Sequence, residues 1–430
     1  MILFLSNGHG EDLIGATLAR RVREALTPTA SGPLPTADPP TAAISPTAAI
    51  LPTLQALAVV GEGRPYLAAG VPLVGPRRVL PSGGFTRNSL ANLWADLRAG
   101  LLSLLWRQGA ALRRLRPETD LVVAVGDILV LFLARRVLRR PTVFLPTAKS
   151  DYIAPHFQIE VALMRECFKV YPRDALTAAH LAEQGVPAEY VGNAMMDCLD
   201  LSGVDLRPAL GASAAPSDPA PQVVGLLPGS REEAYLNLAD LTAVAARLVR
   251  LASQPLAFPV ALAPSLDPAR ATEAIRSAGG DAQVLDSEAT AEPPPTFASA
   301  AGRPLLTLIQ GRFGDVLLAS DVVIGLAGTA NEQAAGLGRP VVTFPGRGAQ
   351  FTPRFARAQQ RLLGEAVVLV EPPDPARVAE ITLHLLADSA ERQRRAAVGR
   401  ERMGGPGATG RMAAGIVDAW TCVSSRRRQG

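Results

Sequence analysis

Two doubly wound α/β domains, each built on a parallel (Rossmann-like) sheet and facing a central cleft, are predicted from three observations. Short apolar, β-rich runs alternate with helix-period stretches along the whole 430-residue chain. These runs lack polar alternation, as strands covered on both faces require. A Pro/Ala/Ser-rich segment, "VDLRPALGASAAPSDPAPQ", then interrupts the pattern near the middle of a chain too long for one ordinary core.

The organisation that follows is an N-terminal domain over 1–205, a linker over 206–221, a C-terminal domain over 222–410, and a last helix and tail over 411–430 packing back on the first domain. In the first half "ILFLS" leads into an amphipathic helix through Leu26, "LVVAV" into "ILVLFLARRVL", and "PTVFLP" follows. The second half supplies "VVGLL", "FPVALA", "AQVLD", "PLLTLIQ", "DVVIGLA", "PVVTFPG" and "AVVLVE". Two biased tracts, 27–53 with its repeated "PTA" and 287–304, read as surface insertions.

Composition narrows the partners. A net charge of +4 with a pI near 9.2 suits anionic ligands or an anionic membrane surface. No basic patch with a recognisable base reader accompanies it, so nucleic acid is not expected. Cys167, Cys198 and Cys422 are widely spaced and read as reduced thiols. The start "MILFLSNGHG" lacks a signal peptide's basic region, and the longest apolar stretch contains Asp127 and is too short to span a bilayer. The expectation is a cytoplasmic protein, freely soluble or at the inner face of the membrane.

In such sheets ligands bind beyond the carboxyl ends of the strands, and five strand-end loops are the candidates for chemistry. "VVGLLPGSREEAY" reads as a strand, a Pro-Gly-Ser turn and a helix beginning near Arg231. The Gly229 and Ser230 amides and the Arg231 fork there suit phosphate, or Ser230 opens a plain capping box with "SREE". "DVVIGLAGTANEQAAGLG" puts small Gly328, Thr329 and Ala330 at a helix N-terminus. Glu332 in the first turn either complements the helix dipole or accepts hydrogen bonds from ribose hydroxyls. "LSNGHGEDLIGATLARR" lacks the third glycine of a dinucleotide fingerprint and presents His9, Glu11 and Asp12. His9 is either a proton-transfer group or a surface histidine. Asp127 in "VVAVGDILVLF" is either a helix N-cap or a base, and Lys149 and Asp151 occupy the next loop.

"NSLANLWADLRAGLLSLLWRQGAALRRLRPE" reads as one amphipathic helix with Leu90, Leu93, Trp94, Leu97, Leu101, Leu104 and Leu105 on a stripe. Leu102 and Trp106 lie off that stripe among Arg98, Arg107, Arg113 and Arg114. The stripe is either core-facing or, with this flanking pair, dips into an anionic lipid interface.

With these motifs the chain resembles GT-B glycosyltransferases of the lipid-A-disaccharide synthase-related family. "LLPGSR" matches outright, and "GLAGTANEQAAGLGRPVV" is similar to the family's "SGTATLEAA"-like element. "HGEDLIGATLARR" resembles the opening turn and helix, with Glu11 where glycine is usual. "VYPRDALTAAHLAEQGVPAEYVGNAMMDCL" resembles the stretch ending in a "GHTMAD"-like motif, with Asn193 in place of histidine. The resemblance implies a UDP-sugar donor held by Gly229, Ser230, Arg231, Gly328, Thr329 and Glu332, and a lipid or lipid-linked acceptor. It also implies that Asp127 faces the acceptor hydroxyl, with Glu11, Asp12, Lys149, Asp151 and Asn193 on the acceptor side. No cofactor and no metal are expected, because helix dipoles and Arg231 can hold the departing UDP. Proton removal falls to Asp127 or His9. A UDP-N-acetylglucosamine 2-epimerase-like enzyme or a non-catalytic UDP-sugar-binding protein are the alternatives.

Overall fold

Five strands of the first half form one parallel sheet in the order β2-β1-β3-β4-β5, and seven of the second half another, in the order β12-β11-β10-β6-β7-β9-β8. This computed structural model describes residues 1–27, 51–77, 98, 100–211, 220–285, 303–348 and 350–429. Most of both biased tracts, and Leu90, Leu93, Trp94 and Leu97, lie outside the described residues. The chain divides into unit 1, Met1–Cys198 with Pro406–Gly430, and unit 2, Leu199–Gly405.

Unit 1 runs β1 (Ile2–Ser6), α1 (His9–Leu26), β2 (Leu54–Ala58), α2 (Arg64–Ala68), α3 (Leu101–Leu115), β3 (Leu121–Gly126), α4 (Ile128–Phe132), β4 (Thr142–Pro146), α5 (Gln158–Arg165), β5 (Lys169–Val170) and α6 (Ala175–Glu183). The strands β1, β3 and β4 are buried along their whole length, as sequences apolar except for Ser6 and Thr142 at their ends require. A final helix, Ala408–Gln429, returns to this unit. Its Ala408, Met412, Ala413, Ile416 and Ala419 are buried in the same cluster as Ile14, Leu18 and Val22 of α1. The Asp197 carboxylate accepts from the amides of Gly407 and Thr409, at 2.5 and 2.6 Å, and so closes the start of that helix.

Two predicted helices take other forms. Gly100, at φ +90°, sits immediately before α3 in the left-handed region, so the predicted single helix does not run through it. The helix "ILVLFLARRVL" begins at Ile128 but loosens into a π-turn over Leu133–Leu138, and Arg139 ends it at φ +53°.

Unit 2 runs β6 (Gln222–Leu227), α7 (Ala234–Leu251), β7 (Leu256–Leu262), α8 (Pro268–Ser277), β8 (Asp281–Leu285), β9 (Leu305–Gln310), α9 (Phe313–Ala319), β10 (Val322–Gly325), α10 (Thr329–Gly336), β11 (Val341–Thr343), α11 (Pro353–Leu363), β12 (Val367–Leu369), α12 (Pro375–Ala387) and α13 (Ser389–Met403). Its core joins Val224, Leu226 and Ile324 of the sheet to Leu238, Leu241 and Ala245 of α7 and Val378 and Leu385 of α12.

Candidate functional site

The chain leaves β6 toward β7 on one side and β10 toward β11 on the other, so the order of unit 2 reverses between β6 and β10. Loops that diverge at such a point open a crevice at the carboxyl ends of the strands. Both phosphate-suited motifs lie there. The Leu326 amide donates to the Leu227 carbonyl at 2.8 Å, which ties the end of β10 to the end of β6. Gly229 turns the chain at φ +106°, a conformation that side-chain-bearing residues resist.

The helix after this turn starts at Ala234, not near Arg231 as predicted. Residues 230–233 instead form an open turn closed by the Ala234 amide on the Arg231 carbonyl at 2.8 Å. Glu233 stands at the N-cap without a side-chain cap, so no "SREE" capping box forms. Ser230 and Arg231 are therefore exposed at the loop crest. The Arg231 guanidinium meets the side-chain amide of Gln350, whose oxygen, once the amide is turned to face it, accepts from Nε at 3.2 Å. Gln350 belongs to the loop after β11, which sequence reasoning did not select.

The second loop is held from below. Gly328 caps α10, Thr329 is exposed and Ala330 half-buried at its start, while Glu332 in the first turn is only 8 % exposed. Asn331, fully buried, donates through Nδ2 to the Gly325 carbonyl (3.0 Å) and to Gln359 Oε1 (2.9 Å). Gln359 Nε2 donates in turn to the Gly328 carbonyl at 2.7 Å, and Thr343 Oγ1 to that of Gly325 at 2.6 Å. These bonds tie the loop at the Gly325 and Gly328 carbonyls, although Asn331 Oδ1 is buried without a partner. Two loops of backbone donors, a helix N-terminus and an arginine are the chemistry that suits an anion. The buried acid of Glu332 gives the same loop a hydrogen-bond acceptor. Asn331 and Gln359 were missed by the sequence reading; the signal for Asn331 is an amide side chain among small residues in a first helical turn.

In unit 1 the order reverses between β1 and β3, and the loops after β1, β3 and β4 are linked to one another. His9 opens α1 and is exposed. Glu11 accepts from Thr147 Oγ1 at 3.2 Å, and the Thr147 amide donates to the Gly126 carbonyl at 3.1 Å. Asp127 caps α4, with Oδ1 accepting from the Leu129 amide at 2.8 Å. Capping takes one carboxylate oxygen and leaves the other for a ligand, so the two sequence readings of Asp127 are compatible.

Lys149 reaches Glu160 of α5 at 2.6 Å and lies 3.5 Å from the centroid of the Phe157 ring. Asp151 meets His180 of α6, Oδ2 to Nδ1, at 2.7 Å, and His156 stands 3.7 Å from its other oxygen. Neither histidine was selected from the sequence. Asn193 is buried and accepts from the Met195 amide at 3.0 Å, as the cap of the short turn Ala194–Cys198.

Asp12 points inward. Its Oδ1 accepts from Ser6 Oγ at 2.6 Å, and Tyr66 donates to Ser6 at 3.0 Å. Burial, and then repulsion from Glu11, push the Asp12 carboxyl up from 3.8 to about 6, although the Ser6 hydrogen bond works against the rise. The folded protein therefore holds this proton more tightly than the unfolded chain. Its stabilising effect is complete below about pH 4 and is lost as pH rises through 6, a change on the order of 3 kcal/mol. Denaturant titrations should show wild-type stability carrying this downward contribution between pH 4 and pH 7, and Asp12→Asn lacking it. Equal slopes in the two proteins would refute the assignment.

Trp106 of α3 is 72 % exposed, beside exposed Arg107, Arg113 and Arg114, whereas Leu104 and Leu112 are buried. Leu102 lies in α3, but its side chain is outside the described residues. Among the described residues no helix is long and apolar enough to cross a membrane.

No family model matches the chain. It is 29% identical over 254 residues to the lipid-A-disaccharide synthase of Trichlorobacter lovleyi, a match spanning 55% of this chain and 58% of that protein. MurG of Acinetobacter baumannii superposes with a TM-score of 0.54 at 14% identity, over 97% of this chain and 99% of that one. A Listeria monocytogenes protein assigned as a UDP-N-acetylglucosamine 2-epimerase gives 0.53 at 14% identity, over 96% and 95%. The chain has the GT-B fold. As a GT-B protein it carries its two loops of phosphate-suited donors on unit 2, and a second set of polar strand-end loops on unit 1.

Proposed function

We propose that this GT-B protein transfers a sugar of the N-acetylglucosamine class from a UDP-sugar to a hydroxyl of a lipid or lipid-linked acceptor, without a metal ion. The observation that carries the reading is the meeting of "LLPGSR" and "LAGTANE" at the strand-order reversal of unit 2. Gly229, Ser230, Arg231, Gly328, Thr329 and Ala330 surround the diphosphate, and Glu332 accepts from the ribose hydroxyls. The leaving UDP gains negative charge as the glycosidic bond breaks, and preoriented amides, the α10 dipole and Arg231 stabilise that charge. The relationship to a lipid-A-disaccharide synthase supports a lipid acceptor. Exposed Trp106 with its neighbouring arginines would hold the protein at an anionic membrane surface on the cytoplasmic side. Asp127, through the oxygen not used for capping, takes the proton of the acceptor hydroxyl; His9 is the alternative proton acceptor. Glu11, Lys149, Asp151 and Asn193 shape the acceptor side.

The test is incubation with labelled UDP-N-acetylglucosamine, with and without a total lipid extract. Label should pass to the organic phase only when lipid is present. Conversion of the UDP-sugar to an epimer without lipid would replace the transferase reading by the epimerase one. Binding with neither outcome would leave a UDP-sugar-binding protein.

A further inference from the structure

Successive residues of the unit 1 strands alternate between two layers. Leu3, Val122 and Phe144 pack with Leu112 of α3, Leu131 of α4 and Val161 of α5, whereas Ile2, Val123 and Val143 pack with α1 and the final helix. Right-handed crossovers require this division. The chain leaves β1 toward β2 on one side, then steps back past β1 to β3, β4 and β5 on the other. The helices α3, α4 and α5 therefore share one outer surface. That surface is apolar. Among the described residues Trp106 of α3 is the most exposed large hydrophobic side chain, and Ile159 of α5 and Phe157 at its cap follow, at 66 and 64 %. Phe132, also exposed, ends α4.

It is also basic. Helix α3 carries three arginines and the stretch 128–140 four, and neither contains an Asp or Glu. The one acid within α5, Glu160, is buried and paired with Lys149. Bare aromatic and aliphatic side chains gathered on one surface mark an interaction site, and cations without acids call for an anionic partner. An anionic bilayer supplies hydrocarbon and phosphate together. The same surface runs up to the acceptor side. His156 and Glu160 line a hollow with Asp127 and Lys149. Phe157 and Ile159, between them in sequence, turn outward, and Lys149 Nζ stands 3.5 Å from the centroid of the Phe157 ring. One short segment thus faces Asp127 with two residues and the solvent with two others.

We propose that Phe157 and Ile159 enter the hydrocarbon of an anionic bilayer and, with Trp106 and Phe132, seat unit 1 on the membrane along its α3–α5 surface. The arginines of that surface meet the lipid phosphates. The Asp127 loop then lies at the boundary between lipid and water, where the hydroxyl of a membrane lipid reaches it while the chain stays in hydrocarbon. This last step rests on the reading of the protein as a transferase to a lipid acceptor; the membrane contact does not.

The experiment measures co-sedimentation of the full chain with vesicles of equal parts phosphatidylethanolamine and phosphatidylglycerol, at low and at high salt. The wild type should bind, and less so at high salt, which screens the arginines. Phe157→Ser combined with Ile159→Ser should bind roughly tenfold or more weakly, because both side chains lose their burial in hydrocarbon. Both residues are exposed, so the melting temperature should hold. Phe157→Leu combined with Ile159→Leu keeps the apolar bulk and should bind as the wild type does. A wild type that ignores the vesicles overturns the proposal. So does a serine variant that binds as well as the wild type, including one that loses only self-association on gel filtration and so gives the surface to a second copy. Equal losses in the leucine and serine variants also overturn it, since apolar bulk would then not be what binds. Vesicle binding as expected, but with no label passing from UDP-N-acetylglucosamine to the lipid extract, removes the lipid-acceptor reading and leaves the membrane contact standing.

Discussion

Asp127→Asn lowers turnover by ~10² or more, the loss expected when a general base is removed, and leaves the fold intact. The structure makes this variant unusually clean. Asp127 accepts from the Leu129 amide as the N-cap of α4, and asparagine caps a helix as well as aspartate does. Asp127→Ala should instead lose the base and, in addition, about 1 kcal/mol of capping stability. Comparing the two variants by melting temperature and by kcat separates the roles: both slow, only the alanine form less stable. If Asp127→Asn turns over normally while its stability holds, the residue is a cap and nothing more. His9→Ala is then the variant to measure.

Arg231→Ala should weaken UDP binding by roughly 10- to 100-fold, the range for losing a charge-assisted hydrogen bond worth about 1.5–3 kcal/mol. Wild-type melting temperature should rise with added UDP, because a ligand of the native state stabilises it, and most of that rise should vanish in the variant. Arg231 is exposed at the crest of its turn, so its removal leaves the core of unit 2 untouched. An undiminished response to UDP would take Arg231 out of the phosphate site and leave the loop amides to act alone.

The parallel sheets were legible because their central strands are buried on both faces, which forces the continuous apolar runs seen in β1, β3, β6 and β10. Two edge-side strands were not. β2 is the alanine-rich "LQALA", without β-branched or aromatic side chains, and β5 is only Lys169–Val170, too short to show a pattern. The two glycine-bearing loops of unit 2 were legible as motifs, since glycine, small residues and an arginine at a strand end form a recognisable phosphate-suited pattern. Their support was not. Asn331, Thr343 and Gln359 meet through side chains far apart in sequence, and no local pattern records such a meeting. The same holds for His180, which joins Asp151 from 29 positions away. Helix starts were the least secure, because the open turn at 230–233 competes with a capping box of the same letters.

The return of the final helix has a consequence for how the chain is made. Unit 1 keeps Ala408, Met412, Ala413 and Ile416 in its interior, yet they follow all of unit 2 in the sequence. On a ribosome advancing at ~5–20 residues per second, the first sheet waits on the order of ten seconds or longer for that helix. During this interval the α1 surface carrying Ile14 and Leu18 lacks its cover, while unit 2, continuous from Leu199 to Gly405, can complete itself. The nascent protein therefore passes through a stage in which the earlier-made half is the unfinished one. That half is the natural client for a chaperone, and a chain stopped before Ala408 should be caught there.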